Sequence, residues 1–148
     1  MSALLDAVRR ARASGDWSEV LDGIPYARFL GLSLEPGEGG AGLRSRMRFA
    51  DHLVGNPSLP ALHGGTLGAL LESHAIFTVL HRADTLLLPK TITITVDFLR
   101  PARPVDTLAV AAVTRQGRRV VNVHAEAFQE TPSRPVATAN ALFLVTPA

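Results

Sequence analysis

Glu72 interrupts the apolar run 70–77, "LLESHAIF", and lies eight residues beyond Gly64, the first of two glycines that follow His63. A carboxylate held in an apolar cleft loses water and becomes a stronger base or nucleophile at neutral pH, which is what attack on an acyl carbonyl requires. The residue types alone allow a second reading, in which Glu72 reaches solvent at the end of a groove or pairs with an arginine, because acids are seldom buried without a partner. Gly64 and Gly65 fall where a helix would begin. There, backbone N–H groups are unpaired, the helix dipole is positive and the missing side chains let a carbonyl oxygen approach. Two glycines also serve simply to make a tight turn. His63, alone beside them, reads as a positioning residue. His74 is two residues from Glu72 and therefore on another helix face, so the two form no acid–histidine dyad. No further His or acid stands at metal-ligand spacing, and no metal is expected.

The elements that must hold these groups follow from periodicity. Residues 64–80 predict a helix whose apolar positions Leu67, Leu70, Leu71, Ala75, Phe77, Val79 and Leu80 run nearly all the way round, the pattern of a central, buried helix. Four strands are predicted after it, over 90–100, 105–115, 119–130 and 135–146. Their short Pro- and Gly-containing connections predict an antiparallel meander wrapped on the helix. Ahead of it, 3–13 predicts an amphipathic helix stopped by Gly15, and 24–31 a short helix with Pro25 in its first turn and Gly31 at its end. Two strands then flank the turn "EPGEGG". In the second, Leu43, Ser45, Met47 and Phe49 alternate with Arg44, Arg46 and Arg48, whose face reads as solvated in preference to a ligand patch. The segment 51–62 has turn chemistry and no period, and reads as a loop.

Composition narrows the function classes. The 148 residues suit one domain with its own core, and they contain no cysteine, so disulfides and thiolate chemistry are excluded. The net charge is only +2, and one Trp and one Tyr provide little surface for stacking bases, so no nucleic-acid partner is expected. No apolar run approaches the roughly 18 residues of a membrane span, and no leader pattern opens the chain. No membrane partner is expected, and the expected location is cytoplasmic.

The sequence His63-Gly64-Gly65 opening a buried helix, an acid nine residues after the histidine, and the following strand "TVDFLRPAR" together resemble the hotdog-fold thioesterases of the PaaI-like acyl-CoA branch, from about Leu30 to the C-terminus. The resemblance implies an α+β hotdog fold, with an antiparallel sheet wrapped around a long central helix. A helical extension over 1–31 would precede a core over 32–148. It further implies a homodimer joined edge to edge, assembling as a dimer of dimers, with acyl-CoA between protomers. Catalytic roles would fall to Glu72, to the Gly64 N–H as oxyanion donor, to His63 and to Asn56. The family often has Asn or Gln six residues before this histidine, and Asn56 is seven before it, so the loop is one residue longer here. Thr91 aligns with a strand hydroxyl found in some members, whereas the threonine that others carry four residues after the acid is Ile76. Substrate binding would involve Gly65 and Thr91, with Arg100, Arg103, Arg115, Arg118 and Arg119 as partners for the phosphates of coenzyme A. No cofactor is implied beyond the coenzyme A of the substrate, and the acyl group would be a medium chain or an aryl ring. The alternative is a non-catalytic acyl-CoA-binding hotdog protein, a sensor or assembly subunit. A dehydratase of this fold would use a catalytic His with an acid, and Glu72 has no such partner.

Overall fold

A computed structural model describes residues 2–82 and 87–146. Three helices come first: α1 (Ala3–Ser14), α2 (Ser18–Asp22) and α3 (Pro25–Leu30). Strands β1 (Leu32–Pro36) and β2 (Leu43–Met47) follow, then a small pair, β3 (Val54–Asn56) and β4 (Ala61–Leu62). The 19-residue helix α4 (Gly64–Arg82) precedes β5 (Lys90–Phe98), β6 (Thr107–Gln116), β7 (Val120–Phe128) and β8 (Ala137–Leu144). The main sheet is antiparallel, six strands in the order β1-β2-β6-β7-β8-β5. Helix α4 crosses one face of it, in agreement with the expected α+β architecture of a sheet around a central helix. No described helix is long and apolar enough to cross a membrane.

Burial alternates along β7 and β8 as a one-sided sheet demands. In β7 the side chains of Val121, Val123, Ala125 and Ala127 are buried against α4, while Asn122, His124 and Glu126 face away. Small residues on the inner face, among them Ala109, Ala125, Ala137 and Ala139, let the helix approach, and Leu67, Leu70 and Leu71 fill the space between. On its other side α4 is covered by the N-terminal helices, where Val8, Trp17, Val20 and Leu21 pack with Phe77 and Leu80. Gly15 and Gly31, both at positive φ, end α1 and α3 as predicted.

Three features depart from the sequence reading. Helix α2 was not anticipated. Five residues are too few to show a helical period, yet the Asp16 side chain accepts the first helical N–H, that of Ser18, and Trp17, Val20 and Leu21 bury the apolar side. The expected loop 51–62 holds the β3–β4 pair, strands too short to display alternation. The last four strands are not a simple meander either. Strand β5 pairs with β8 at the sheet edge, and its link to β6 crosses the sheet end, because Leu99 and Arg100 donate their N–H groups to Val136 at 2.9 and 3.3 Å. Arg44, Arg46 and Glu35 form a surface ion-pair group with Asp106, in keeping with a solvated strand face.

Candidate active site

His63 caps helix α4. Its Nδ1 accepts the Gly65 N–H at 2.8 Å, and its carbonyl accepts Thr66 N–H at 3.0 Å, Leu67 N–H at 3.4 Å and the Thr66 hydroxyl at 2.6 Å. An Nδ1 that accepts leaves the proton of the neutral ring on Nε2. Of the four N–H groups that open the helix, three are thus used, and among the described residues nothing accepts that of Gly64. Glycine at 65 is a geometric requirement, since a Cβ there would lie 2.9 Å from His63 Nδ1. Gly64 faces the exposed ring of Phe98, whose Cε1 would be 3.2 Å from an added Cβ. The cap is held from behind: His63 N–H donates to the Leu53 carbonyl at 2.8 Å, and Leu62 N–H to that of Ala102 at 3.0 Å. Asn56 stands in the β3–β4 hairpin next to Gly55, which packs on His63, and its side-chain carbonyl accepts Ser58 N–H at 3.0 Å to form the turn.

Glu72 lies two turns farther along, about 12 Å from Gly64 along the axis at 1.5 Å per residue. It is half-buried, on a strip of α4 with Gly65, Gly68, Ala69 and Ser73 that neither the sheet nor the N-terminal helices cover completely. This strip flanks β5, for a Cβ on Gly68 would meet Val96 Cγ2 at 3.9 Å. Among the described residues no cation pairs with Glu72. His74 turns the other way, into the core, where its Nδ1 is 2.6 Å from the hydroxyl of buried Ser45 and its Nε2 has no partner among the described residues. Burial lowers its pKa to about 4, with the Leu43 backbone opposing weakly, so the ring is neutral at physiological pH. Sequence reasoning separated His74 from Glu72 but missed Ser45, whose only signal was a polar residue at an inward strand position.

Two crevices meet at the mouth of the helix. One, about 410 Å³, is lined by Gly64, Leu67, Phe98, Leu99, Arg100 and Pro101. The next, also about 410 Å³, shares Arg100 and Pro101 and adds Arg103, Gln129, Glu130 and Arg134. Arg100 and Arg103 are thereby brought to the Gly64 end, joined by Arg134, which had no second arginine in its own turn to mark it. Arg115, Arg118 and Arg119 line a separate cavity of about 370 Å³ at the β6–β7 turn. The register of β7, β8 and β5 puts that turn at the opposite end of the sheet, level with Lys90. Thr91 is at that far end as well, roughly 23 Å along the strand from Phe98 at 3.3 Å per residue.

The thioesterase superfamily matches this chain over residues 59–136, from the hairpin before His63 through β5 to the turn before β8. No curated protein matches it. Among solved structures, a phenylacetic acid degradation-related protein of Ralstonia eutropha JMP134 is 32% identical, with 86% of this chain and 98% of that one aligned and a TM-score of 0.73. The PaaI protein of the phenylacetic acid degradation operon of E. coli is 19% identical over 92% of this chain and 94% of its own, with a TM-score of 0.76. A Bacillus halodurans protein solved with CoA is 18% identical over 98% of this chain and 92% of its own, with a TM-score of 0.74.

Proposed function

Because the chain belongs to the thioesterase superfamily and is a thioester hydrolase of the PaaI-like hotdog branch, we propose that it hydrolyses an acyl-CoA in a site completed by a second copy of itself. One observation carries this reading. The Gly64 N–H, unpaired among the described residues and at the positive end of a 19-residue helix, opens on a crevice that continues into a cavity lined by arginines. A thioester carbonyl in the first and a phosphate in the second would place one acyl-CoA molecule across both, and the related fold solved with CoA supports that assignment. The acyl group, a medium chain or an aryl ring, would lie against Leu67, Phe98 and Leu99.

The chemistry divides between two residues. Glu72 removes a proton from water as hydroxide adds to the thioester carbon, or its carboxylate attacks that carbon itself and water resolves the anhydride. In either case the carbonyl oxygen gains charge where the Gly64 N–H and the helix dipole meet it. The C–S bond then breaks, and the leaving thiolate takes up a proton. His63 keeps Gly64 free for this role by engaging Gly65 instead.

Donor and attacking group must both reach one carbonyl at about 3 to 3.5 Å, and roughly 12 Å of helix separates them within one chain. Pairing of β5 with the β5 of a second copy removes the difficulty. The strand is nine residues long at a sheet edge, with exposed Ile92 and an outer row of backbone groups that no other described strand pairs. Lys90 and Asp97 stand at its two ends, so antiparallel self-pairing sets unlike charges together. The partner's α4 would then run antiparallel to this one, bringing Glu72 of the partner subunit toward Gly64.

The test is thiol release from a panel of acyl-CoA esters by the wild type and by Glu72→Gln. The variant keeps size and polarity but loses the basic oxygen, and should fall by about a hundredfold or more in turnover while still binding CoA. Unchanged turnover in the folded variant would remove Glu72 from the mechanism, and no hydrolysis by the wild type would favour a non-catalytic acyl-CoA binder.

A further inference from the structure

The arginine cavity beside the Gly64 crevice contains an acid that a simple phosphate site would not need. Arg103 Nη2 is 2.5 Å from Glu130 Oε1, and both side chains are more than half exposed. The backbone beneath them is held firmly: Arg103 N–H donates to Gln129 Oε1 at 3.0 Å, and Gln129 Nε2 donates to the Arg103 carbonyl at 2.8 Å and to Thr107 Oγ1 at 3.1 Å. Arg100 is oriented by its Nη1, which donates to the Pro135 carbonyl, and its other N–H donors remain for a ligand. Arg134 is carried by the β7–β8 turn, where its N–H donates to the Thr131 carbonyl at 3.0 Å, and its guanidinium has no ion-pair partner among the described residues. Three cations and one carboxylate therefore line a space of about 410 Å³.

Taking the acyl-CoA reading above as its premise, we propose that this cavity binds the phosphates of the nucleotide half of coenzyme A through Arg134 and Arg100, and that Glu130 is a displaceable competitor for Arg103. An exposed carboxylate–arginine pair is weak and exchangeable. A phosphate brings more charge and a bidentate match to the guanidinium fork, so it takes Arg103 from Glu130 on arrival. The carboxylate left behind then repels the ligand. Coenzyme A is both the handle of the substrate and the product, and a handle held too tightly would delay release. Glu130 limits that hold.

The experiment is a calorimetric titration of the nucleotide half alone, 3′-phosphoadenosine 5′-diphosphate, into the wild type, Arg134→Ala and Glu130→Gln at one fixed ionic strength. Acyl-CoA hydrolysis is measured on the same samples. Losing Arg134 should weaken nucleotide binding about tenfold, the scale of one charged hydrogen bond. Glu130→Gln should tighten it by about two- to fivefold, as expected for removing an exposed ion-pair competitor, and lower the inhibition constant of free CoA to match. A purely structural Arg103–Glu130 bridge makes the opposite prediction for Glu130→Gln, namely a lower melting temperature with no gain in affinity. Nucleotide binding that is absent from the wild type, indifferent to Arg134→Ala, or unimproved by Glu130→Gln overturns the subsite, and continued acyl-CoA hydrolysis would then leave the thioesterase reading standing. Nucleotide binding that responds as expected in an enzyme that cleaves no acyl-CoA would leave the subsite and sink that reading.

Discussion

Burying His74 beside Ser45 makes acid sensitivity a built-in property of helix α4. The ring titrates near 6.5 in an unfolded chain and at about 4 in the folded protein, where burial disfavours its charged form. The native state therefore holds the neutral ring, and the unfolded state takes up the proton first as pH falls. Above about pH 6.5 this group leaves stability unchanged. Below it, stability should drop by up to about 1.4 kcal/mol per pH unit until the folded ring also protonates near pH 4. The gap of about 2.5 units corresponds to a total near 3 kcal/mol, a sizeable part of the stability of a typical domain.

Urea denaturation between pH 7.5 and 4.5 measures this, but exposed carboxylates titrate in the lower part of the same range. The control is Ser45→Ala combined with His74→Leu, which removes the titrating ring and the hydroxyl it would otherwise strand. Replacing both partners of a buried hydrogen bond is often nearly neutral, and the unpartnered Nε2 disappears as well, so the double variant should match or exceed the wild type at pH 7.5. Its profile should be flatter than that of the wild type between pH 6.5 and 4.5. Parallel profiles would refute the assignment of His74 as a neutral core residue.

The composite site makes a mixing prediction: Glu72→Ala and Gly64→Pro homodimers should each be nearly inactive, yet random re-association of equal amounts should restore about a quarter of wild-type activity, because half the dimers are mixed and each holds one intact site. No recovery, with mixed dimers detected and Gly64→Pro shown to fold, would sink the shared site. The two glycines should differ in thermal melts. Gly65→Ala drives a Cβ to 2.9 Å from the His63 ring and breaks the cap, at a cost of about 1 kcal/mol, whereas Gly64→Ala meets only the movable Phe98 ring and should melt close to wild type. Equal melting temperatures would show that the His63–Gly65 bond contributes nothing to the helix.

Much of this arrangement is legible in the residues because the relevant forces act locally. Apolar residues nearly all round 64–80 mark a central helix, and the strand alternation of "RVVNVHAEAF" reports one buried sheet face directly. The departures come where pairing partners are distant in sequence. Nothing local tells β5 to choose β8 over β6, a pairing that the 99–100 segment continues by docking onto Val136. Ion pairing is equally hidden. Arg44 and Arg103 look alike in the sequence, but one is tied to Glu35 on an outer sheet face and the other stands in a cavity beside the helix N-terminus. Asn56 is suggested by the family resemblance alone, at a spacing one residue longer than usual, and the sequence could not show its side-chain carbonyl committed to a turn.

The residues that the family resemblance suggested as one site lie at the two ends of a single sheet, and this separation has a physical explanation if β5 pairs with its counterpart. Helix α4 runs antiparallel to β5, with Gly64 at Phe98 and Gly68 at Val96. A two-fold axis normal to that strand would exchange its ends, so the Lys90 end of the partner's β5 would lie beside the Phe98 end of this one. Thr91 and the β6–β7 turn carrying Arg115, Arg118 and Arg119 travel with the Lys90 end. The symmetry would thus return them, from the partner, to the rim where Gly64, Arg100 and Arg103 open. The two ends of β5 can then diverge in chemistry, oxyanion donor at one and hydroxyl and cations at the other, because every assembled site receives one of each.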